Sequence, residues 1–421
     1  LDGVYVIGKW RRIPDERFMR LRHEPEAWTV EIHTVEVYVG TDGDHQDEFL
    51  RGNRPKDLLR NSIVTPSLLA SILNVKYVNS SALHRIEQEF QRNGVNISRQ
   101  TMSNWIVRCS QMYFTPFVER MKQELLSLHV TQSDETPTQV IADSDHPNSK
   151  CYMWVHRSGE FYTRRPIVIY EYQKGRDHQK PLDFYKDYKG ILVTDSLQQY
   201  HLVDKKLPDV TNANCWAHAR RDFADAVKAA DKKDPSSVRQ SVAHQALQKI
   251  AGFYNADTEL KGLSSEERLQ KRQELMRPLV EEFFAWVKPQ VNDCAVHPKS
   301  KTGQGLNFII NQEKYLKVFL EDGDVPIDNS ASERAIRTFC LGKKNWMFHN
   351  TAKGASASAM VYSISETAKL NNLRPYYYFK YILTELPKLC EEKENIDPEK
   401  LDYLMPWSDS LPDECRKPRR Q

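Results

Sequence analysis

One apolar run of the chain ends directly in a carboxylate: Gly190-Ile191-Leu192-Val193-Thr194-Asp195. Its length and its β-branched content are typical of a buried central strand, which would hold Asp195 firmly at its carboxyl end. A second stretch, Val130-Thr131-Gln132-Ser133-Asp134, has the same form. We therefore predict two strands of one sheet, each ending in an aspartate.

A third acid, Glu333, lies in Ser330-Ala331-Ser332-Glu333-Arg334, which predicts the first turn of a helix. Two strands and one helix can bring Asp134, Asp195 and Glu333 to one point. Crowded carboxylates resist joint ionisation unless a cation neutralises them, and hard oxygen ligands select Mg²⁺ or Mn²⁺. The three acids are thus predicted catalytic residues and metal ligands, because a pair of such ions about 4 Å apart supports phosphoryl transfer.

Each acid also has a structural interpretation. Ser330 and Glu333 have the spacing of a capping box, in which the serine caps the helix and the glutamate returns to the serine N–H. Aspartates at strand ends commonly form turns, which would account for Asp134 and Asp195. Local sequence leaves these interpretations open, whereas the ordered set of three favours catalysis.

Three further motifs accompany the acids: Cys215-Trp216-Ala217-His218-Ala219-Arg220-Arg221, Leu341-Gly342-Lys343-Lys344-Asn345-Trp346 and Ser365-Glu366-Thr367-Ala368-Lys369-Leu370-Asn371. With these motifs in this order, most of the chain resembles the transposases of the insertion sequence 66 family. The resemblance implies an α/β fold with a ribonuclease H-like catalytic core and an Asp, Asp, Glu triad at Asp134, Asp195 and Glu333. It also implies Mg²⁺ as cofactor, with Mn²⁺ able to substitute, and DNA as substrate.

The order of strand and helix signals predicts the domain organisation. We expect a small β module at 1–55, a helical region resembling a helix-turn-helix at 56–125, the first part of the core at 126–224, a helical insertion at 225–324, the second part of the core at 325–388 and a C-terminal tail at 389–421. The core should open with an antiparallel meander. The insertion would shape a DNA channel or an oligomer interface, or serve only as a structural lid.

Within the helical region, two predicted helices flank the break Asn93-Gly94-Val95-Asn96. Ser98 would cap the second helix, and Trp105 and Ile106 would hold the pair together. An ordinary helical hairpin whose polar face meets water fits the same pattern. If the pair binds DNA, the side chains predicted to face a major groove are Arg99, Gln100 and Asn104.

Basic and aromatic residues near the acids form a second group of candidate DNA contacts. Guanidinium groups match phosphate oxygens, and lysines beside an indole combine phosphate binding with a stacking surface. Hydrated surface lysines and arginines around a buried indole are the structural alternative. The candidates are Arg220, Arg221, Arg337, Lys343, Lys344 and Trp346.

Cys215 and His218 have the spacing of half a zinc site, but no second pair of ligands stands nearby in the sequence. The resemblance suggests that they support the active site, and packing at a strand end is the alternative. Residues 1–55 lack the Cys-x-x-Cys pairs that family members often carry there, and the first cysteine is Cys109. Zinc is therefore not expected in this chain. Because the chain begins at Leu1 rather than Met, we expect an upstream segment.

Composition excludes some classes of protein. Charged residues make up 28% of the 421, yet the net charge is only +3, so any DNA-binding surface must be local. Seven cysteines are scattered without the spacing of a disulfide framework. No apolar stretch approaches the length of a membrane span, and no signal peptide is evident. We expect a cytoplasmic, nucleoid-associated bacterial protein without membrane contact.

Taken together, these features predict an enzyme that cuts DNA at the ends of its own mobile element and joins them to a target. Because two ends must be held together, a homodimer or larger assembly is expected, and accessory proteins of the same element are possible partners. Two alternatives stay open: a transposase-derived DNA-binding protein without catalysis, and a ribonuclease H-like nuclease that only hydrolyses.

Overall fold

A computed structural model describes residues 28–41, 43–45, 47–53, 56–143, 150–177, 179–231, 238–293, 295–390 and 396–418. The chain forms two compact units, Leu1–Pro55 and Lys56–Gln421. In the first, β1 (Val37–Val39) and β2 (Phe49–Arg51) make an antiparallel hairpin with exposed side chains. Within the predicted β module at 1–55, the described residues form these two short strands, and residues 1–27 lie outside the described residues.

The second unit begins with helices α1 (Pro66–Leu73), α2 (Leu83–Arg92), α3 (Arg99–Cys109) and α4 (Thr115–Leu126). The Ser98 side chain accepts a hydrogen bond from the Thr101 amide and caps α3, as predicted. Trp105 and Ile106 are buried, also as predicted. The loop between α2 and α3 contains Gly94 at φ +76°, a conformation that glycine adopts without steric cost.

A five-stranded mixed sheet forms the centre of this unit. Its strands are β3 (Val130–Thr138), β4 (Cys151–Ser158), β5 (Val168–Gln173), β6 (Gly190–Thr194) and β7 (Val210–Asn214), in the spatial order β5-β4-β3-β6-β7. The first three strands are antiparallel, and β6 and β7 run parallel to β3. Helices α5 (Gln179–Tyr185) and α6 (Gln198–Lys206) connect the later strands. The predicted antiparallel opening and α/β class are confirmed.

The first acidic strand is longer than its sequence suggests. β3 runs four residues past Asp134 because its second half pairs with β4, from Asp134 opposite Val155 to Thr138 opposite Cys151. Its pairing with β6 ends at Gln132 opposite Val193. Asp134 therefore lies inside a strand and not at its end, which corrects the prediction.

Helices fill the segment between β7 and the third acid: α7 (Trp216–Ala219), α8 (Arg221–Asp231), α9 (Val242–Leu260), α10 (Ser265–Lys271), α11 (Arg277–Val291), α12 (Lys301–Asn311) and α13 (Glu313–Leu316). Trp216 is fully buried among them, with ring centroids 5.0 Å from Phe253 and 5.8 Å from Phe283. Buried Arg272 pairs with Asp257 at 2.7 Å. Aromatic packing on Trp216 fixes the helical segment to the end of β7, and the ion pair joins helices within that segment.

Three helices complete the unit: α14 (Ser330–Trp346), α15 (Ala352–Leu370) and α16 (Pro375–Leu389). β5 is an edge strand, and α15 covers it with hydroxyl groups. The amides of Val168 and Tyr170 donate to Thr367 Oγ1 at 3.0 Å and Ser363 Oγ at 2.8 Å. This contact explains the small polar residues of the third motif, because an uncovered edge would leave strand amides without partners.

The C-terminal segment packs on the preceding helices. The hydroxyl of Tyr378 donates to the Leu404 carbonyl at 2.7 Å, and the Lys417 amide donates to the Asn372 carbonyl at 2.9 Å. Arg419 to Gln421 lie outside the described residues. Within the described part of the chain, no helix combines the length and apolar character needed to cross a bilayer.

Candidate active site

Sheet register brings the first two acids side by side. Gln132 is opposite Val193 on the parallel pair of β3 and β6, and Asp134 and Asp195 are each two residues further along. Adjacent strands lie about 4.8 Å apart, and residues two apart share a face of the sheet. Asp134 and Asp195 therefore face the same way at neighbouring positions. Both carboxylates are partly buried.

The pKa values of both aspartates are raised. Burial raises the pKa of Asp134 to about 8, and the negative charges of Asp195, Glu135 and Glu333 act in the same direction. Burial also raises the pKa of Asp195 to about 6, with a further contribution from Glu135. One amide donates to each aspartate: Glu135 N–H to Asp134 Oδ1 at 2.8 Å and Leu197 N–H to Asp195 Oδ1 at 3.2 Å. The negative charge at the site is therefore poorly compensated by the protein.

Glu333 enters this site from the first turn of α14. The residue before that helix is Asn329, which makes no side-chain cap, and Ser330 is already helical. The structural alternative for Glu333, a capping box with Ser330, is therefore not what the structure shows. The side chain of Glu333 is 39% exposed, with its Oε1 atom 3.7 Å from His218 Nδ1. The carboxylate is thus available to a ligand and lies near enough to Asp134 to raise its pKa.

A buried amide sets the position of this helix relative to the sheet. The Asn329 side chain donates from Nδ2 to the Ser133 carbonyl at 2.7 Å and accepts from Gln132 Nε2 at 3.1 Å. The backbone N–H of Asn329 donates to Cys215 Sγ at 3.1 Å. Asn329 thus links the strand of Asp134, the motif after β7 and the helix of Glu333. Sequence analysis missed Asn329, although it directly precedes the third acid.

Replacing Asn329 with alanine should loosen this link. The change leaves the Ser133 carbonyl and the Gln132 amide without their buried partner, which should lower the free energy of unfolding by about 1–3 kcal/mol. Denaturant unfolding of N329A beside N345A, a variant at an exposed asparagine of α14, measures the effect. Equal stabilities of the two variants would contradict this role for Asn329.

Cys215 and His218 occupy different positions in the site. Cys215 is fully buried, and burial raises the pKa of its thiol to about 12, so it serves as a hydrogen-bond acceptor inside the fold. His218 faces Glu333, and burial, with the charge of Arg221, lowers its pKa to about 4. Its Nδ1 atom is buried and has no hydrogen-bond partner among the described residues. The imidazole is therefore neutral at physiological pH and lies next to Glu333.

Glu135 is a second residue that sequence analysis missed. It follows Asp134 on the strand and therefore points to the opposite face of the sheet. Its carboxylate is almost completely buried, where it accepts hydrogen bonds from Tyr200 Oη at 2.9 Å and from Arg176 Nε at 2.8 Å. From that face of the sheet, Glu135 raises the pKa of Asp195 and Arg176 lowers it. Its only sequence signal was an acid adjacent to a predicted ligand.

The arginines predicted to bind phosphate lie near the junction of α7 and α8 and on α14. Arg220 and Arg221 are exposed where α7 meets α8, and Arg337 is exposed one turn after Glu333 on α14. None of the three forms an ion pair within the part of the chain that the structure describes. Arg334, by contrast, pairs with Glu160 at 2.8 Å. Exposed guanidinium groups without carboxylate partners are suited to phosphate.

The lysine and tryptophan motif lies at the far end of α14. The Lys343 ammonium donates to the Pro137 carbonyl at 2.5 Å, and Lys344 is exposed. Trp346 is partly buried, with its ring 5.5 Å from that of Phe339 and 4.4 Å from that of His349. The indole is packed against the protein and is not an open stacking surface, which corrects the interpretation of Trp346.

The side chains predicted to face a DNA major groove, Arg99, Gln100 and Asn104, are exposed on α3. Gln100 donates to Asn104 at 3.0 Å. A contact of 3.1 Å between the hydroxyls of Tyr77 and Ser358 anchors the helical region that carries them to α15.

Comparison with known proteins identifies the family. The sequence profile described as "Transposase IS66 family" matches residues 61–357, and the one described as "IS66 C-terminal element" matches 363–407. The chain belongs to the IS66 transposase family. The three acids, the motif at 215–221 and α14 all lie within the first match. A transposase role follows from membership.

Relatives of this IS66 family member include three uncharacterized proteins of Sinorhizobium fredii (strain NBRC 101917 / NGR234). Protein y4qI is 27% identical over 410 residues, which cover 94% of this chain and 71% of y4qI. Protein y4hP is 26% identical over 331 residues, or 77% of this chain and 59% of y4hP. Protein y4jD is 24% identical over 362 residues, or 84% and 68%. The relatives are thus longer than the segments they share with this chain.

Proposed function

We propose that this transposase cuts DNA at the ends of a mobile element and transfers the freed 3′-hydroxyls to target DNA, using Asp134, Asp195 and Glu333 on a ribonuclease H-like core. The observation that carries the proposal is the register of β3 and β6, which sets two carboxylates side by side, with Glu333 near enough to raise the pKa of Asp134. Carboxylates held in this way suit metal-dependent phosphoryl transfer.

The chemistry of the donor set fits Mg²⁺. The donors are carboxylate oxygens, which hard divalent cations prefer. Burial, and then the neighbouring carboxylates, raise the pKa of Asp134 to about 8, and a bound cation would offset both effects. Among the described residues, no three acidic, histidine or cysteine side chains converge closely enough to hold one ion. We therefore propose Asp134 and Asp195 as the primary ligands, with Glu333 joining them when DNA and metal bind. Bound there, Mg²⁺ or Mn²⁺ would supply the Lewis acidity that phosphoryl transfer requires.

The surrounding residues divide the remaining tasks. Arg221 and Arg337, on either side of Glu333, hold the phosphates next to the scissile bond. His218, neutral at physiological pH, accepts a hydrogen bond from a substrate hydroxyl or water beside Glu333. Asn329 and the Glu135–Arg176 pair keep the strand and the helix of the triad in position. In this arrangement the protein orients the DNA backbone in line with the attacking group.

DNA binding extends beyond the triad in this proposal. The exposed face of α3, with Arg99, Gln100 and Asn104, reads a major groove in the manner of a helix-turn-helix. Because two element ends must be joined in one event, the active species is a homodimer or larger assembly, acting at the bacterial nucleoid and aided by proteins of the same element. Zinc has no part in it.

The proposal is tested with a plasmid that carries the DNA flanking this gene, incubated with the full chain and Mn²⁺. We expect nicks at two inverted ends, followed by products in which those ends are joined to target DNA. Cut ends without joined products would indicate a nuclease that only hydrolyses. Sequence-specific binding without cutting in Mg²⁺ or Mn²⁺ would indicate a DNA-binding protein derived from a transposase, and would refute the catalytic proposal.

A further inference from the structure

The turn that follows α14 exposes two large apolar side chains. Met347 is 64% exposed and Phe348 is 43% exposed. Nearby, Ile141 is 53% exposed, and its amide donates to the His349 carbonyl at 2.9 Å, which fixes the turn to the segment after β3. Ordinary surface residues with this exposure are scattered singly. These three form a contiguous apolar patch.

The backbone of the turn is strained in a way that presents these side chains. Met347 has φ +67° and ψ −55°, and the Phe348 amide donates to the Trp346 carbonyl at 2.9 Å. These values define a γ-turn of the rare form that L-residues adopt at a cost. The His349 amide donates to the Gln139 carbonyl at 2.9 Å and holds the turn closed. Met347 thus occupies a backbone conformation in which a glycine would be unstrained.

Lysines surround the apolar patch. Lys344 and Lys353 are exposed, and the ammonium of Lys343 donates to the Pro137 carbonyl. Lys76 packs against the Trp346 ring at 5.6 Å, where burial lowers its pKa to about 8. None of these four forms an ion pair among the described residues. The nearby acid, Asp143, accepts a hydrogen bond from the Tyr172 hydroxyl at 2.6 Å and has Lys174 at 3.9 Å. The patch is therefore positively charged in a chain whose net charge is only +3.

Burial of Trp346 supports the rigidity of the turn. Its ring packs between Phe339 and His349, and burial together with the charges of Lys76 and Lys343 lowers the pKa of His349 to about 3. The imidazole is therefore neutral and part of the packed base of the turn. Phe348, one residue beyond Met347, is the aromatic ring left to the outside.

We propose that the turn Trp346-Met347-Phe348 binds unstacked bases of DNA, with Phe348 stacking on a base and Met347 wedging beside it, while the exposed Lys344 and Lys353 hold the flanking phosphates. An apolar wedge among cations matches the chemistry of distorted or single-stranded DNA. The inference rests on the proposed function and adds a substrate contact to it. Fourteen residues of helix separate Met347 from Glu333, or about 21 Å, which corresponds to roughly six base pairs of duplex.

The test measures binding of the full chain, without divalent metal, to a 30-base single strand and to the same sequence as a duplex, each containing 2-aminopurine. We expect Phe348→Ala to weaken single-strand binding roughly 5- to 150-fold and to abolish the fluorescence quenching by stacking. Phe348→Trp should restore both. Met347→Gly should weaken single-strand binding without lowering thermal stability, because glycine relieves the strain. Leu370→Ala, at a side chain 41% exposed on α15, is the control and should leave binding unchanged.

The outcomes separate this inference from the function on which it rests. If the wild-type chain binds neither probe, both fail. If it binds and Phe348→Ala binds equally well, the DNA transposase proposal stands and the base contact is refuted. If Phe348→Ala lowers the molecular mass measured by light scattering and weakens binding to both probes alike, the patch is an interface between copies of the chain, which also overturns the base contact.

Discussion

Asp195→Asn should lower DNA cutting and strand transfer by a factor on the order of a thousand or more, with little loss of DNA binding. The amide keeps the size of the side chain and can still accept the Leu197 N–H, but it removes the charge opposite Asp134. A cation shared by the two residues would then lose a ligand. The assay is the plasmid reaction in Mn²⁺, with cleaved and joined products quantified separately.

A matched control for this change is Asp209→Asn. Asp209 is exposed at the opposite end of the sheet, where it pairs with Lys189 at 3.2 Å, so activity should be unchanged. Combining Asp134→Asn with Asp195→Asn should cost little more than either change alone, because residues that act as one unit are not additive. More than a tenth of wild-type cutting by Asp195→Asn would exclude this residue from the triad.

Asp134→Asn should abolish cutting and yet make the metal-free protein more stable at pH 8. The pKa of Asp134 is raised from 3.8 to about 8 on folding, so its contribution to stability is fully present below about pH 4 and is lost as the pH rises through 8. An asparagine has no such loss. This loss begins near pH 4, so we expect the variant to exceed wild type in free energy of unfolding by about 5 kcal/mol at pH 8 and by only about 2 kcal/mol at pH 5.

Unfolding with denaturant in EDTA, at intervals from pH 5 to pH 8, measures this difference. Added Mg²⁺ should stabilise wild type, more strongly at higher pH because Asp134 and Asp195 must lose protons to bind it. The same addition should have little effect on Asp134→Asn. Parallel pH profiles for wild type and variant, with and without Mg²⁺, would contradict both the charge crowding and the proposed metal site.

The loss of stability at high pH and the stabilisation by Mg²⁺ have the same physical cause. Burial and neighbouring carboxylates raise the pKa values of Asp134 and Asp195, so their charged forms are costly without metal, and the same charge favours a divalent cation. Glu135 adds to this cost, while Arg176 reduces it for Asp195. The stability lost in the metal-free protein is thus the counterpart of its proposed affinity for metal.

Local patterns in the sequence were sufficient to predict those features of the structure that depend on neighbouring residues. The apolar run before Asp195 predicted β6, the spacing from Ser98 predicted the cap of α3, and the strand signals predicted an antiparallel opening. These features arise from side-chain periodicity and from hydrogen bonds within a few residues. The family motifs were likewise legible in the chain and agree with its membership in the IS66 family.

Only the tertiary structure decided how distant segments share the site. Asn329 meets Cys215 across 114 residues and the Ser133 carbonyl across 196, which no local pattern encodes. The spacing of Ser330 and Glu333 suggested a capping box. The contacts of Asn329 instead place the start of the helix directly after it, and Glu333 faces His218. By itself the sequence determined the types of element and the candidate acids. Packing and sheet register determined which side chains meet, because those contacts depend on the whole sheet and on the helices that cover it.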